Sequence, residues 1–545
     1  MASFRFRLFI VLLLTGAVAA ALLYHFSSSV GSDVESVIAH GPGDTEIAVT
    51  TLRPERPRAE RLRTIPVPLR HRLVHLDLKG APPKVDYYAR LFPFLHELNA
   101  TGILMEYEDM FPYWGALEPL SARNAYSRQD ISRIRALAQE SNLIIVPLVQ
   151  TFGHLEFALK LEQFSSLREV QYSPQALCPS RNESLILVTT MIDQILTLHP
   201  QSKYLHIGCD EVYNLGECPL CRMQDHDKLF LSHVSRVARH VQAAGVRPII
   251  WDDMFRNTPE EVVHQSGVAP LVDVMVWEYR PSLSQHLDKA IWPKYARLFR
   301  GVWTATAFKG ALGPQNLLPD AFYHLKNQQA WLEALHNNPV PLRGIVLTGW
   351  QRYDHFATLC ELLPAGLPSL ALGLMYLQHG HLDGEPAVRL QQTLGCNRPP
   401  VTPLLDLRPS LLFCNFPGSK VHLGIQQLAS VIEQKKIMLR DSHFEGWLSS
   451  YNRVHDFSSP FHVLEATKNL TEILVTMRHL EHSLREALAE VYDDSTVSEW
   501  MESTLLPELR EAEAVQRDAE RLLARLTWPR RPLAVVKQEA TRGGA

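Results

Sequence analysis

YLHIGCDEVYNLG, Tyr204 to Gly216, decides the fold. It opens as a short apolar strand, Tyr204-Leu205-His206-Ile207, passes a small residue at Gly208, and delivers two adjacent carboxylates, Asp210 and Glu211. Side chains alternate along a strand, so His206, Gly208 and Asp210 share a face, and Glu211 points the other way unless the backbone turns there. A strand that gives way to a loop at Asp210 sets both carboxyl groups over one pocket at the carboxyl end of a strand. Open α/β sheets and α/β barrels carry their chemistry at that place.

Outward from this stretch the same pattern repeats. Short apolar runs occur at 72–78, 102–107, 143–149, 204–209, 246–251, 272–277, 301–305 and 344–349, eight in all. Between most of them lies enough chain for a crossover helix, and 83–98, 127–140, 184–198 and 227–244 read as those helices. Ser127, followed three residues later by Asp130, is a helix-start signature. Eight alternating β/α units predict an α/β fold, a (β/α)8 TIM barrel over 70–392, with an open doubly wound sheet as the fallback. Residues 393–420 are Pro-rich and read as a linker. Over 421–527, Val421, Ile425, Leu428 and Ile432, then Ile473, Met477, Leu480, Leu484 and Leu488, then Leu509, Val515, Ala519 and Leu522 fall at helical spacing. These predict a smaller helical C-terminal region, followed by a Pro- and Arg-rich tail over 528–545 that reads as disordered.

The amino-terminal end has a different character. Arg5 and Arg7 close a short tail, 1–7, and an uncharged apolar run of 17 residues follows at 8–24. That length is at the low end for crossing a bilayer, which takes about 20 residues. The positive-inside rule then leaves the amino terminus cytosolic and the rest luminal. The expectation is an N-terminal signal-anchor helix, and so a single-pass type II membrane protein of the secretory pathway, in the Golgi or a related compartment. The alternative is a signal cleaved near Ala17-Val18-Ala19, which gives a secreted or lysosomal protein. Residues 25–69, with Ser27 to Ser29 and a run of Arg, Pro and Glu from Arg53 to Arg63, read as a stem that cannot bury enough to fold. Sequons begin at Asn99, Asn182 and Asn469.

Composition bounds the chemistry. The chain has 545 residues, 46% hydrophobic and 21% charged, with a net charge of −4. No basic stripe points to nucleic acid. Seven Cys are too few for a disulfide-built fold. Cys218-Pro-Leu-Cys221 lacks a second pair that would complete a zinc site, and reads as a local disulfide or two free thiols.

Polar and aromatic groups collect at the strand ends. The first gives His75, Asp77 and Lys79; the second Glu106, Glu108 and Asp109; the third Gln150 and His154; the fourth Asp210 and Glu211. The fifth ends Trp251-Asp252-Asp253 and the sixth Trp277-Glu278-Tyr279. The seventh passes Trp303 toward Lys309, and the eighth ends with Trp350, Tyr353, Asp354 and His355. Each has a plainer reading. A lone Asp-Glu pair is usually a solvated turn, a Trp at a strand end is usually core, and His154 and His206 read equally as satisfied core histidines. Against that stands recurrence of one class of residue at one topological place. A barrel top ringed with Trp and carboxylates is a sugar site in type.

These residues carry a resemblance. His206 to Val212, H-I-G-C-D-E-V, resembles the H-x-G-G-D-E signature of family 20 glycoside hydrolases, the β-N-acetylhexosaminidases. Trp251-Asp252-Asp253 and Phe152-Gly-His154 are similar to that family's W-D and P-G-H segments. Segments 75–84, 106–113, 147–154, 348–355 and 360–366 resemble a single subgroup within it. Three departures stand out. Lys79 is the nearest cation where the family has Arg, and Ala307-Phe308-Lys309 replaces Tyr-x-Asp. Trp350-Gln351-Arg352 replaces Trp-x-Glu, with Asp354 displaced.

The resemblance implies a retaining exo-β-N-acetylhexosaminidase that takes the terminal N-acetylhexosamine of glycoconjugates by substrate-assisted catalysis. Asp210 and Glu211 are then the catalytic pair. Asp77, Lys79, His154, His206, Trp251, Trp277, Tyr279, Trp303, Trp350, Tyr353 and Asp354 are the implied substrate-binding residues. No cofactor and no metal are implied. Tyr279 or Tyr353 takes the place of the missing strand-seven Tyr. The subgroup tilts the expectation toward both GalNAc and GlcNAc, galacto favoured. Two other readings remain: an amino-sugar-binding barrel that is weak or inactive as a catalyst, and a different barrel hydrolase in which Asp210-Glu211 is coincidental. A homodimer is left open.

Overall fold

The computed structural model describes residues 63–396 and 414–533. The expected membrane span at 8–24, its flanking tail, most of the stem and most of the Pro-rich linker lie outside the described residues. No helix among the described residues is long and apolar enough to cross a membrane.

Eight parallel strands close into a barrel. In chain order the strands are β1 (His71–Asp77), β2 (Gly102–Glu106), β3 (Ile144–Leu148), β4 (Arg168–Val170), β5 (Ser173–Leu177), β6 (Tyr204–His206), β7 (Arg247–Trp251), β8 (Asp273–Trp277), β9 (Val302–Lys309) and β10 (Leu342–Gly349). The barrel runs β1-β10-β9-β8-β7-β6-β3-β2, and β4 and β5 form a separate antiparallel ribbon inserted between β3 and β6. Each of the eight apolar runs is a barrel strand. The crossover helices include α1 (Val85–Glu97), α2 (Arg128–Glu140), α3 (Asn182–Leu198), α4 (His226–Ala243), α5 (Ala321–Asn337) and α6 (Leu363–His379). At the start of α2 the Ser127 hydroxyl accepts from Asp130 N, while Asp130 accepts from Ser127 N at 2.8 Å, so two orphan donors are satisfied reciprocally.

Two apolar cores organise the barrel, and a small third one lies among the C-terminal helices. The strands' inward residues, among them Leu73, Leu104, Val146, Leu148, Ile249, Met275 and Val346, fill the barrel. Their outward residues pack with the helices in a second, continuous core. The C-terminal helices α7 (Ser419–Leu439), α8 (Leu470–Ala489) and α9 (Leu506–Leu523) add their apolar stripes to that outer core. They also brace the barrel's loops. Lys84 Nζ donates to Ala489 O at 2.7 Å, and Arg352 pairs at 2.6 Å with Glu499 of the short helix Asp494–Trp500 that follows α8. Cys396 and Cys414 form a disulfide, and Cys218 and Cys221 are both free thiols.

The short β6 matters most for the site. It pairs with β3 through a single register position, Leu148↔His206, before the backbone leaves the sheet. The strand predicted to reach 209 therefore stops three residues earlier, because the chain turns to aim its carboxylates.

Candidate active site at the carboxyl end of the barrel

The turn after β6 is made by an unusual backbone. Gly208, Cys209 and Glu211 have φ of 63°, 68° and 50°. Left-handed conformations cost a non-Gly residue about 1–3 kcal/mol each, and persist where surroundings over-determine them. Here Thr151 holds the Cys209 thiol at 3.0 Å, Asp253 Oδ2 accepts from Glu211 N at 2.8 Å, and Gln175 Nε2 donates to Glu211 O at 2.8 Å. The last bond comes from the β4–β5 ribbon. A Cβ on Gly208 would lie 1.9 Å from Gln150 Oε1, so any larger residue would have to displace the buried Gln150 side chain.

The turn brings Asp210 and Glu211 into one cavity of about 230 Å³ lined also by Lys79, Gln150, His154, Trp251, Trp277, Tyr279, Gly310, Ala311, Trp350, Arg352 and Tyr353. His154, itself at φ 52°, joins the two carboxyl groups: its Nε2 lies 3.2 Å from Glu211 Oε2 and 3.6 Å from Asp210 Oδ2. Burial alone would discharge this imidazole, but the Asp210 charge and the Glu211 hydrogen bond raise it to about 9. Burial pushes the Asp210 carboxyl up to about 7; His154 opposes this, and the carboxylates of Asp253, Glu106 and Glu211 add to it. Glu211 goes the other way. Burial again pulls upward, but hydrogen bonds with His154 and Tyr213 bring it below its ordinary value. Of the two carboxyl groups, Asp210 is therefore the last to give up its proton.

Aromatic rings wall the cavity. Trp277 Nε1 donates to Asp253 Oδ1 at 3.1 Å, and Trp350 Nε1 donates to the Tyr279 hydroxyl at 3.1 Å. Tyr353 OH accepts from Gly313 N at 2.9 Å while its ring is half exposed at the rim.

Four predicted site residues are placed elsewhere. Trp303 is the second residue of β9 and sits at the opposite, amino end of the barrel, stacked 5.3 Å from His71, with Nε1 donating to Asp273. It is core, because β9 runs on past it for six residues to Lys309, and only the far end of the strand reaches the cavity side. His206 lies beneath the site, 4.5 Å from the Trp251 ring, with Nδ1 accepting from Gly208 N; burial lowers it to about 3 and keeps it neutral. Asp77 accepts from Gln351 N at 2.8 Å and from Lys79, pinning β1 to the loop after β10. Asp354 accepts from the N–H groups of Phe356 and Ala357 and shapes its own loop.

Other residues come into view only in three dimensions. Asp253 positions both Glu211 N and Trp277, and nothing in Trp251-Asp252-Asp253 distinguished it from Asp252. Asp252 turns inward to a paired Arg256, at 2.8 and 2.6 Å. Gln175 lies in a ribbon whose short strands, one of them broken by Pro174, carry no legible alternation.

Residues 93–303 match the catalytic domain of glycosyl hydrolase family 20. Hexosaminidase D of Homo sapiens is 41% identical over 485 residues, which are 87% of this chain and 99% of that protein. This chain belongs to glycosyl hydrolase family 20. Hexosaminidase D of Bos taurus is 48% identical over 334 residues, 59% of this chain and 96% of its own length. Among solved structures, Flavobacterium johnsoniae chitobiase aligns over 84% of this chain and 72% of its own at 13% identity and a TM-score of 0.46, too remote to inform the site. The departures from the family 20 pattern now have a geometry. Lys79 reaches the cavity, but its buried ammonium is shared by Asp77, Glu106 and Glu108 at 3.2, 3.6 and 3.3 Å. Arg352 is likewise bound, to Lys79 O, Ala357 O and Glu499. Both cations are fixed in place before any ligand arrives.

Proposed function

We propose that the chain is a retaining exo-β-N-acetylhexosaminidase that removes terminal β-linked GalNAc or GlcNAc from glycoconjugates, with the substrate's 2-acetamido oxygen as the nucleophile. One observation carries the reading: Asp210 and Glu211 share a turn and a His154 partner in a Trp-walled cavity at the carboxyl end of the barrel. At about 230 Å³ the cavity falls below the range of about 300–1,000 Å³ usual for larger ligands, which suits one terminal sugar ring.

In this mechanism the acetamido N–H donates to Asp210. Its carbonyl oxygen accepts from Tyr279 OH and attacks the anomeric carbon, forming a cyclic oxazolinium. Glu211 protonates the leaving oxygen and then takes a proton from the attacking water. Hydrogen bonding to the ionised form of Asp210 favours that form, so substrate binding draws the proton from Asp210. Covering Glu211 with the leaving group desolvates it and favours its neutral form. One proton on the pair thus moves to the group that uses it. An enzyme nucleophile is hard to supply. Glu106 is enclosed by His75, Lys79 and Gln150, and Asp252 by Arg256, Trp277 N and Tyr295.

The membrane anchor at 8–24 and a luminal catalytic body belong to the same proposal. They are supported by Arg5 and Arg7 ahead of the apolar run; cleavage to a secreted or lysosomal form is the alternative.

The assay is hydrolysis of aryl N-acetyl-β-hexosaminides by the purified chain, with a thiazoline mimic of the oxazolinium as inhibitor. Turnover blocked by the mimic is expected. Sugar binding without turnover would leave an amino-sugar-binding barrel. Turnover indifferent to the mimic would mean another mechanism.

A further inference from the structure

Below the catalytic turn, away from the sugar cavity, lies a second cluster of reactive side chains. Cys218 and Cys221 sit on the loop that leaves Glu211, Cys178 directly follows β5, and Glu169 lies in β4. One sulfur or oxygen from each of the four lies within 4.8 Å of the others. Cys178 Sγ is 3.4 Å from Cys218 Sγ and 3.6 Å from Cys221 Sγ.

Those separations decide among the options for the thiols. A disulfide holds sulfurs at about 2.05 Å. Sulfurs bound at about 2.3 Å to one tetrahedral zinc lie about 3.8 Å apart, close to what is seen. An odd number of thiols also leaves one unpaired in any disulfide arrangement. Cys221 N donates to Cys218 O at 3.0 Å, so the Cys-Pro-Leu-Cys segment is a tight turn that presents both sulfurs to one side.

Glu169 supplies an independent observation. It is 3% exposed, and its Oε1 accepts from Gly216 N and Cys218 N, both at 3.1 Å. Its Oε2 is buried and has no hydrogen-bond partner. No Lys, Arg or His pairs with this carboxylate among the described residues. A buried carboxylate with an unpartnered oxygen, grouped with three sulfurs, is costly unless a cation meets it.

We propose that Glu169, Cys178, Cys218 and Cys221 form a closed structural zinc site that ties the loop carrying Asp210 and Glu211 to the β4–β5 ribbon. Three thiolates and a carboxylate give the same net charge around Zn²⁺ as the common set of four cysteine thiolates. Binding releases the three thiol protons to solvent and changes no oxidation state. The carboxylate donor suits zinc better than copper(I). With four protein ligands no position is left for water, so the metal does no chemistry. It braces the ribbon that supplies Gln175 to the Glu211 carbonyl. The site stands independently of which sugar, if any, the cavity turns over.

The test is the metal content of the full chain purified under reducing conditions with zinc in the medium, measured by elemental mass spectrometry. One zinc per chain is expected. Cys178→Ser, Cys221→Ser and Glu169→Gln should each lose it, and Cys360→Ser, a buried free thiol outside the cluster, should keep it. Should a ligand variant fail to fold, cobalt substitution of the wild-type chain decides. Three thiolates give an intense near-ultraviolet sulfur-to-cobalt band and the visible bands of a tetrahedral ion. A folded wild-type chain without zinc, zinc retained in all the ligand variants, or a disulfide among the three thiols on peptide mapping of chain prepared without reductant would each overturn the proposal.

Discussion

At the scale of single residues, the proposed chemistry turns on where one proton sits. Asp210, raised to about 7, and Glu211, lowered, together hold a single proton between the two titrations, and the working complex needs that count. kcat/KM should therefore be bell-shaped. It falls below the lower titration, where both carboxyls are protonated, and falls again as pH rises through about 7, where the last proton leaves. His154, raised to about 9, stays charged across that window and does not set the limb. In Asp210→Asn the limb near neutrality should move to the acid side, since Glu211 alone then holds the proton, and the rate should drop about 10²–10⁴-fold. An unchanged limb in the variant would assign it to another group. Glu211→Gln separates the roles further. It should slow substrates with poor leaving groups far more than aryl glycosides with good ones, which need little protonation. Equal losses on both classes would remove Glu211 as the acid.

At the scale of elements, the two turns that hold the site press on each other. A Cβ on Gly153, in the turn after β3, would stand 2.4 Å from Asp210 O and 3.1 Å from Gln175 Nε2. Gly153→Ala should thus push the Asp210–Glu211 turn aside, costing about 1–3 kcal/mol of unfolding free energy in a denaturant titration and about 10²-fold in kcat/KM. A wild-type rate would show that the turn tolerates the shift. The barrel strands were legible because each is a short apolar run between helical stretches. Asp210 and Glu211 were legible because a strand period cannot place adjacent side chains on one face without a turn, and the positive φ at Glu211 is that turn. Trp303 is nearer the strand's start than its end because the apolar run at 301–305 stops four residues short of the end of β9, and Thr304 and Thr306 hide that length. The ribbon β4–β5, with Gln175 and Glu169, left no periodic trace, and Cys178 stands too far from Cys218 in sequence to pair with it by spacing.

At the scale of the whole molecule, a luminal body predicts a pattern of modification as well as a topology. Asn182 and Asn469 are exposed, whereas Asn99 donates from Nδ2 to Gln378 at 2.6 Å. Glycans are expected on Asn182 and Asn469 and none on Asn99, read by peptide mapping after deglycosylation. In sealed microsomes the body should survive protease until detergent is added. Digestion without detergent would place the catalytic body on the cytosolic side. The C-terminal helices take part in the site at this scale, since the Arg352–Glu499 pair fixes the cation that stands at the cavity wall.

In the proposed mechanism the substrate's own acetamido oxygen is the nucleophile. It is tested most directly by the wild-type chain on aryl glycosides whose acetamido group carries none, one, two or three fluorines. Fluorine withdraws electron density from the carbonyl oxygen, so kcat/KM should fall steeply along the series. A flat response would contradict the account and require a nucleophile from the enzyme.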